Sequence, residues 1–140
     1  MTTENETLVR RFYDELCNGR QLQLAKELLG AEHVYHDPQI PDVRGPEAMA
    51  DTVAAYQTGV DGHWHVEDLF SAGDNVVVRW HGRGTHVGAV LGLAPTGRAV
   101  DVEAISIHRI HDRQIAETWT VWDTLGFLQQ LGALSGPGPG

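Results

Sequence analysis

The stretch Val100 to Gly132, VDVEAISIHRIHDRQIAETWTVWDTLGFLQQLG, constrains the fold more than any other part of the chain. From Val100 to Ile110 apolar and polar residues alternate with period two, Asp112-Arg113 supplies a tight turn, and Gln114 to Trp122 runs out again rich in Thr, Trp, Val and Ile. The pattern predicts two antiparallel strands. Asp123 follows as an N-cap, its carboxylate accepting the free backbone N–H groups of Thr124-Leu125-Gly126, and Phe127, Leu128 and Leu131 form an apolar stripe ended by Gly132. A one-sided terminal helix needs a body to lie on, and the preceding residues must build it.

Upstream, Leu8, Phe12 and Leu16, with Val9 and Tyr13 beside them, predict an amphipathic helix over Glu4–Asn18, stopped by Gly19. A second short helix is expected from Gln21 to Leu29, closed by Gly30, then a short strand from His33 to Asp37, with Pro38 and Pro41 ending regular structure. Gly45-Pro46-Glu47 opens a third helix running to about Tyr56, with Met49, Val53 and Tyr56 on one side. From His63 the period changes. His63–Phe70 and Asn75–Thr85 read as strands joined at Ser71–Asp74, and Val87–Gly97 as a Gly- and Pro-containing excursion before the hairpin. This order is α+β: a curved antiparallel sheet with three helices on one face, giving a cone with a pocket between them.

A chain of 140 residues is expected to form a single domain over residues 1–132, with a flexible tail over 133–140 that contains SGPGPG. A net charge of -9 with ten Lys and Arg argues against nucleic acid, whose binding needs many cationic contacts. The opening MTTENETL has neither a basic region nor an apolar core, and no apolar run approaches a membrane span, so a soluble cytoplasmic protein is expected. Cys17 has no cysteine partner and no paired His, and reads as packing. His63 and His65 share a strand face, but His33 and His36 do not, and His81, His86, His108 and His111 are scattered. Neither a metal nor a cofactor is therefore expected.

Taken in order, RRFYDELCNG, HVYHDP, RGPEAM, GTHVGAVLGLAPTGRAV, ISIHRIHDRQIAETW and VWDTLGFLQQLG resemble the SnoaL-like polyketide cyclase group of the nuclear transport factor 2-like superfamily, from about Leu8 to Gly132. The most specific parts are the PTGR loop and the W-x-x-x-D-T-L-G-x-x-Q-Q-L-G tail. The resemblance implies a cystatin-like roll and an intramolecular aldol ring closure, in which a carboxylate removes a proton alpha to a carbonyl. That carboxylate normally stands three residues before the Asp of the tail, a position held here by Thr120, whose hydroxyl cannot be the same base. The cyclase histidine of the preceding strand falls at Ser106. Related ketosteroid isomerases carry their base in a D-P pair at the end of the first strand, which implicates Asp37 of His36-Asp37-Pro38, and their helix tyrosine matches Phe12, one residue before Tyr13. A cap on the Pro38 turn explains Asp37 equally.

The sequence allows two facings of the last strand. A strict two-residue turn pairs Ser106 with Trp119 and His108 with Glu117, turning Thr120 away and Glu117 into the cavity; a β-bulge between Ile115 and Thr120 would instead bring Ser106 and Thr120 together, as the resemblance implies. The candidate catalytic residues are Asp37, Thr120, Ser106, His108 and Asp123. Expected substrate contacts are Phe12, Tyr13, His36, Ala104, Thr118, Trp119 and Trp122, with the tryptophans serving as wall and interface. Two functions follow: an enolate-forming cyclase or isomerase acting on a hydrophobic carbonyl compound, or a non-catalytic binding or accessory protein that lost the base. A homodimer through the outer sheet face is expected in either case.

Overall fold

The computed structural model describes residues 2–133. Helix α1 (Thr2–Arg11) continues as a π-helical stretch, Phe12–Asn18, and a 3-10 turn (Leu22–Leu24) leads into α2 (Ala25–Leu28). Strands β1 (Leu29–Asp37) and β2 (Ile40–Arg44) precede α3 (Pro46–Val60), and β3 (His63–Ala72), β4 (Asn75–Thr85), β5 (Ala99–His111) and β6 (Gln114–Trp122) precede α4 (Thr124–Gln130). The strands make one six-stranded sheet in the order β2-β1-β6-β5-β4-β3. Every neighbour pair is antiparallel except β1 and β6, which run parallel. The α+β architecture expected from the sequence is the one found.

Along β5 burial alternates without interruption, so that Val100, Val102, Ala104, Ser106, His108 and Ile110 face the helices. The hairpin turn after it has positive φ at both Asp112 (51°) and Arg113 (62°), the backbone sense that matches the twist of the flanking strands. One residue further the register slips: Ile110 pairs with Ile115 but Arg109 pairs with Glu117, leaving Ala116 as the extra residue of a β-bulge. Ser106 then opposes Thr120 and His108 opposes Thr118. The bulged alternative is thus realised, and Glu117 lies on the outer face, bonded to His36 and Arg109.

Four expectations change. The first helix is not α throughout, because its second half is wound with the wider i→i+5 spacing. The second is shorter than expected, since Leu29 and Gly30 already belong to β1. Pro41 does not end regular structure; it sits within β2, an edge strand, where its missing N–H deprives no neighbour. Helix α3 runs on to Val60, stopped by the left-handed Asp61 (φ 47°), whose N–H returns to the Tyr56 carbonyl.

The main core packs Val9, Phe12, Leu16, Leu28, Leu29, Met49 and Val53 against Val76, Val78, Ile110 and Ile115. A second cluster, Val60, Val90, Val100, Val102, Phe127 and Leu131, holds the β4–β5 loop and α4 over the far end of the sheet. Asp123 caps α4 through Gly126 N–H (2.9 Å), and any side chain at Gly126 would collide with that carboxylate. Gln130 fastens the same helix by exchanging two bonds with the Asp101 backbone, at 2.7 and 2.9 Å. Of the tail expected at 133–140, all but Ala133 lies outside the described residues.

Candidate active site

Between the inner sheet face and the helices lies a cavity of about 800 Å³, counted out through its open mouth. The π-helical stretch contributes Phe12, Tyr13 and Cys17; its slower winding keeps Phe12 and Tyr13, adjacent in sequence, both buried on the cavity side. Asn18 pins the end of that stretch by pairing with both backbone groups of Trp64 at 2.7 Å. Helix α3 adds Met49, Val53, Tyr56 and Val60, α4 adds Phe127, and the sheet adds Tyr35, Trp80, Ser106, His108, Thr118, Thr120 and Trp122. The walls are apolar and aromatic; the floor is polar.

Three hydrogen-bonded groups lie side by side in the floor. Ser106 Oγ and Thr120 Oγ1 are 2.7 Å apart, and Trp80 Nε1 donates to Ser106 at 3.1 Å. Tyr13 Oη meets His108 Nε2 at 2.8 Å, His108 Nδ1 meets Thr118 Oγ1 at 2.9 Å, and Thr118 meets His33 Nε2 at 3.1 Å. Tyr13 also interacts with Ser106, and Tyr35 with Thr120. Tyr35 Oη donates to Asp37 Oδ2 (3.1 Å), which accepts from Trp122 Nε1 as well (3.0 Å), while Asp37 Oδ1 takes the Gln39 N–H at 2.9 Å. Burial lowers His108 to about 3 and His33 to about 4, so both rings are neutral at pH 7. Burial also raises Tyr13 and Tyr35 above the ordinary phenol range, keeping their hydroxyls protonated, and holds Cys17 as a thiol.

Of the expected residues, Phe12, Tyr13, Ser106, His108, Thr118, Thr120 and Trp122 line the cavity. Asp37 does not. It is buried one side chain behind the wall, and reaches the cavity through Tyr35 and Trp122. His36 is on the opposite face of β1, held between Asp42 (3.0 Å) and Glu117 (2.6 Å) and stacked on Trp119, with its pKa raised chiefly by the Glu117 bond. Trp119 is outward too, since neighbours on a strand alternate faces and Thr120 faces in. Ala104 faces inward but is buried between Trp80 and Trp122, its strand partners, rather than lining the cavity. Asp123 is an exposed helix cap.

Sequence reasoning missed Tyr35, Trp80 as a polar donor, and His33. Tyr35 was within reach, because it shares Asp37's strand face two residues away. Among the described residues no lining side chain is a carboxylate, and the guanidinium of Arg83, which also lines the cavity, is turned to Asp101. Among the described residues no three His, Cys, Asp or Glu side chains converge as metal ligands, and no helix is long and apolar enough to cross a membrane. What the arrangement offers a ligand is an apolar slot, a row of neutral hydroxyl and N–H donors, and one carboxylate at the end of the row.

A model of the SnoaL-like polyketide cyclase family matches residues 7–131. Aklanonic acid methyl ester cyclase DauD of Streptomyces sp. (strain C5) is 32% identical over 133 residues, covering 89% of this chain and 80% of its own. Among solved structures, TsrD from Streptomyces laurentii superposes with a TM-score of 0.82 at 30% identity, covering 94% of this chain and 97% of that one. A SnoaL-like protein from Jannaschia sp. CCS1 superposes at 0.87 with 26% identity, covering 95% and 94%.

Proposed function

This chain belongs to the SnoaL-like polyketide cyclase family, and from that membership we propose that it closes a ring on a hydrophobic, carbonyl-bearing polyketide by an intramolecular aldol step, without a cofactor. The observation that carries the reading is the Tyr35–Asp37 pair, which joins a buried carboxylate to the cavity beside Thr120. Thr120 stands where the resemblance calls for the base and has no pKa suited to the work. Asp37 takes that role through Tyr35. As Tyr35 Oη receives the proton alpha to the substrate carbonyl, it passes its own proton to Asp37 Oδ2, leaving an enolate and a neutral carboxylic acid.

Negative charge then sits on the enolate oxygen, where Tyr13 and the Ser106–Thr120 pair supply O–H donors inside a water-poor site. The enolate carbon attacks a second carbonyl of the same chain, a C–C bond forms, and the new alkoxide recovers the proton from Asp37 by way of Tyr35. Nothing is consumed. Phe12, Trp64, Trp80 and Trp122 hold the chain folded so that the two carbons meet. A carrier without turnover, the other function considered from Thr120, has no use for a buried carboxylate wired to the cavity, and cyclases among the relatives do not favour it.

DauD's substrate is named, and aklanonic acid methyl ester is therefore the first compound to supply. The expected result is a cyclised isomer of equal mass, and exchange of the alpha proton with solvent deuterium in substrate that is released unclosed. Saturable binding of this ester and of related β-keto esters, with neither cyclisation nor exchange up to high pH, removes the enzyme reading.

The functional unit on this proposal is a homodimer. On the outer sheet face Val121 (65% exposed), Phe70 (54%), Ile105 (52%), Trp119 (39%) and Ile107 lie bare, an apolar patch that a second copy would cover. Light scattering at micromolar concentration should give twice the chain's mass, and Val121→Glu should halve it. A wild-type monomer contradicts the assembly without touching the chemistry.

A further inference from the structure

One polar atom beneath the cavity floor has no counterpart. His33 is fully buried on β1, its Nε2 meets Thr118, and among the described residues its Nδ1 has no hydrogen-bond partner. The row His33–Thr118–His108–Tyr13 has a fixed supply of protons: one N–H on each neutral ring, one O–H on Thr118 and one on Tyr13. Two senses run through every contact in one direction; a third, in which both rings donate to Thr118, leaves the buried Thr118 hydroxyl hydrogen with neither of its two partners. In the first, His33 Nε2–H donates to Thr118, Thr118 donates to His108 Nδ1, and His108 Nε2–H donates to Tyr13. The only atom left over is the bare lone pair of His33 Nδ1.

In the reverse sense, Tyr13 donates to His108 Nε2, His108 Nδ1–H donates to Thr118, and Thr118 donates to His33 Nε2. The His33 proton must then sit on Nδ1, as a buried N–H with nothing to receive it. An orphaned buried donor is rarer and costlier than an under-used acceptor, so the first sense prevails. Its consequence lies at the far end of the row. Tyr13 now accepts from His108, and its own hydrogen is free to point at Ser106 or at a ligand oxygen.

We propose that His33 is the positioning residue of this site: through Thr118 it fixes the His108 proton on Nε2, and so turns the Tyr13 O–H into the cavity as a donor to an enolate or phenolate oxygen. His33 touches no ligand itself. Further along the floor, Ser106 and Thr120 lie 2.7 Å apart and Tyr35 donates to Asp37, so the Tyr13 hydrogen is not needed to complete either contact. This deepens the reading of Tyr13 given above, but the proton positions can be read without turnover.

Nitrogen NMR of the full chain labelled at histidine is the first measurement. Both His33 and His108 should carry the proton on Nε2, with Nδ1 resonating as an unprotonated acceptor; a proton on Nδ1 of either ring overturns the proposal. His33→Phe keeps a ring but removes the N–H, and the His108 signals should move to a mixture of tautomers. If they stay at Nε2–H, His33 is not what sets them. The ligand consequence is read with 2-naphthol, as its naphtholate. Thr118→Val should weaken binding about tenfold, the worth of roughly one hydrogen bond to a charged oxygen, whereas Thr118→Ser, which keeps the hydroxyl, should bind as wild type. Equal affinities for the Val and Ser variants overturn it. Correct tautomers together with failure to cyclise any ester leave this inference standing and remove the proposed reaction, so the two fail separately.

Discussion

Asp37→Asn is expected to lower kcat for ring closure by about 10²- to 10⁴-fold, the usual contribution of a positioned base, with KM changed little. The substitution keeps size and shape, and it leaves every lining side chain in place because Asp37 stands behind Tyr35 and Trp122. What it removes is the proton acceptor at the end of the Tyr35 hydroxyl. A structural cost is also expected. Three donors converge on Asp37, from Tyr35, Trp122 and Gln39, and an amide NH2 in either orientation must face one of them. About 1–3 kcal/mol of stability should be lost. Rate and unfolding midpoint therefore have to be measured on the same preparation, with Tyr35→Phe as companion, since that variant breaks the route to the cavity but leaves the carboxylate. Full activity in Asp37→Asn would take away the base assigned here.

Thr120→Asp is expected to make stability strongly dependent on pH. Residue 120 is buried in the floor, 2.7 Å from Ser106 and within reach of Tyr35, whose other partner is Asp37. A carboxyl there loses its hydration and lies near a second carboxylate, and both effects push its folded-state pKa above the unfolded value of about 3.9. With the folded pKa raised, the folded state holds more protons than the unfolded one between the two values. The variant is then most stable in acid and loses stability as pH rises through the folded pKa, by about 1.4 kcal/mol for each unit of the shift. A shift of about two units would cost roughly 3 kcal/mol by pH 7. Urea unfolding from pH 4.5 to 8 measures this, and a difference from wild type that is flat with pH means that residue 120 is solvated. If Asp37 is the working base, the added carboxylate also raises the pair's apparent pKa, and the pH optimum should move upward.

The terminal hairpin and its helix were readable because their signals are local: period two in β5, a turn residue pair tolerant of positive φ, and an Asp placed to cap. The site was readable only in part. A site that held both His36 and Asp37, or both Trp119 and Thr120, would need adjacent residues of a strand to face the same way, which the pleat forbids. Why Asp37 retreats behind the wall was not legible, since it depends on Trp122, a partner 85 positions along the chain brought near by the parallel pairing of β1 with β6. Nor does any local pattern announce the π winding that turns both Phe12 and Tyr13 to the cavity, because the Leu8, Phe12, Leu16 stripe fits an ordinary α-helix equally well.

Ala116 gives the molecule an unequal tolerance of changes of length. Strand β6 carries two interleaved messages: Thr118, Thr120 and Trp122 in one parity describe the reaction chamber, and Glu117, Trp119 and Val121 in the other describe the exterior. Deleting the codon for Ala116 would leave both in place, because Ile115 and Glu117 would then follow one another as their partners Ile110 and Arg109 do. A codon inserted after it, with the bulge kept, would exchange them, sending an acid and two bulky apolar groups inside while hydroxyls meet the solvent. A three-base insertion at this spot is thus a more disruptive change than loss of the bulge. Descendants of this chain are free to vary their chemistry residue by residue at 118, 120 and 122, but only while the count between the bulge and Trp122 stays the same.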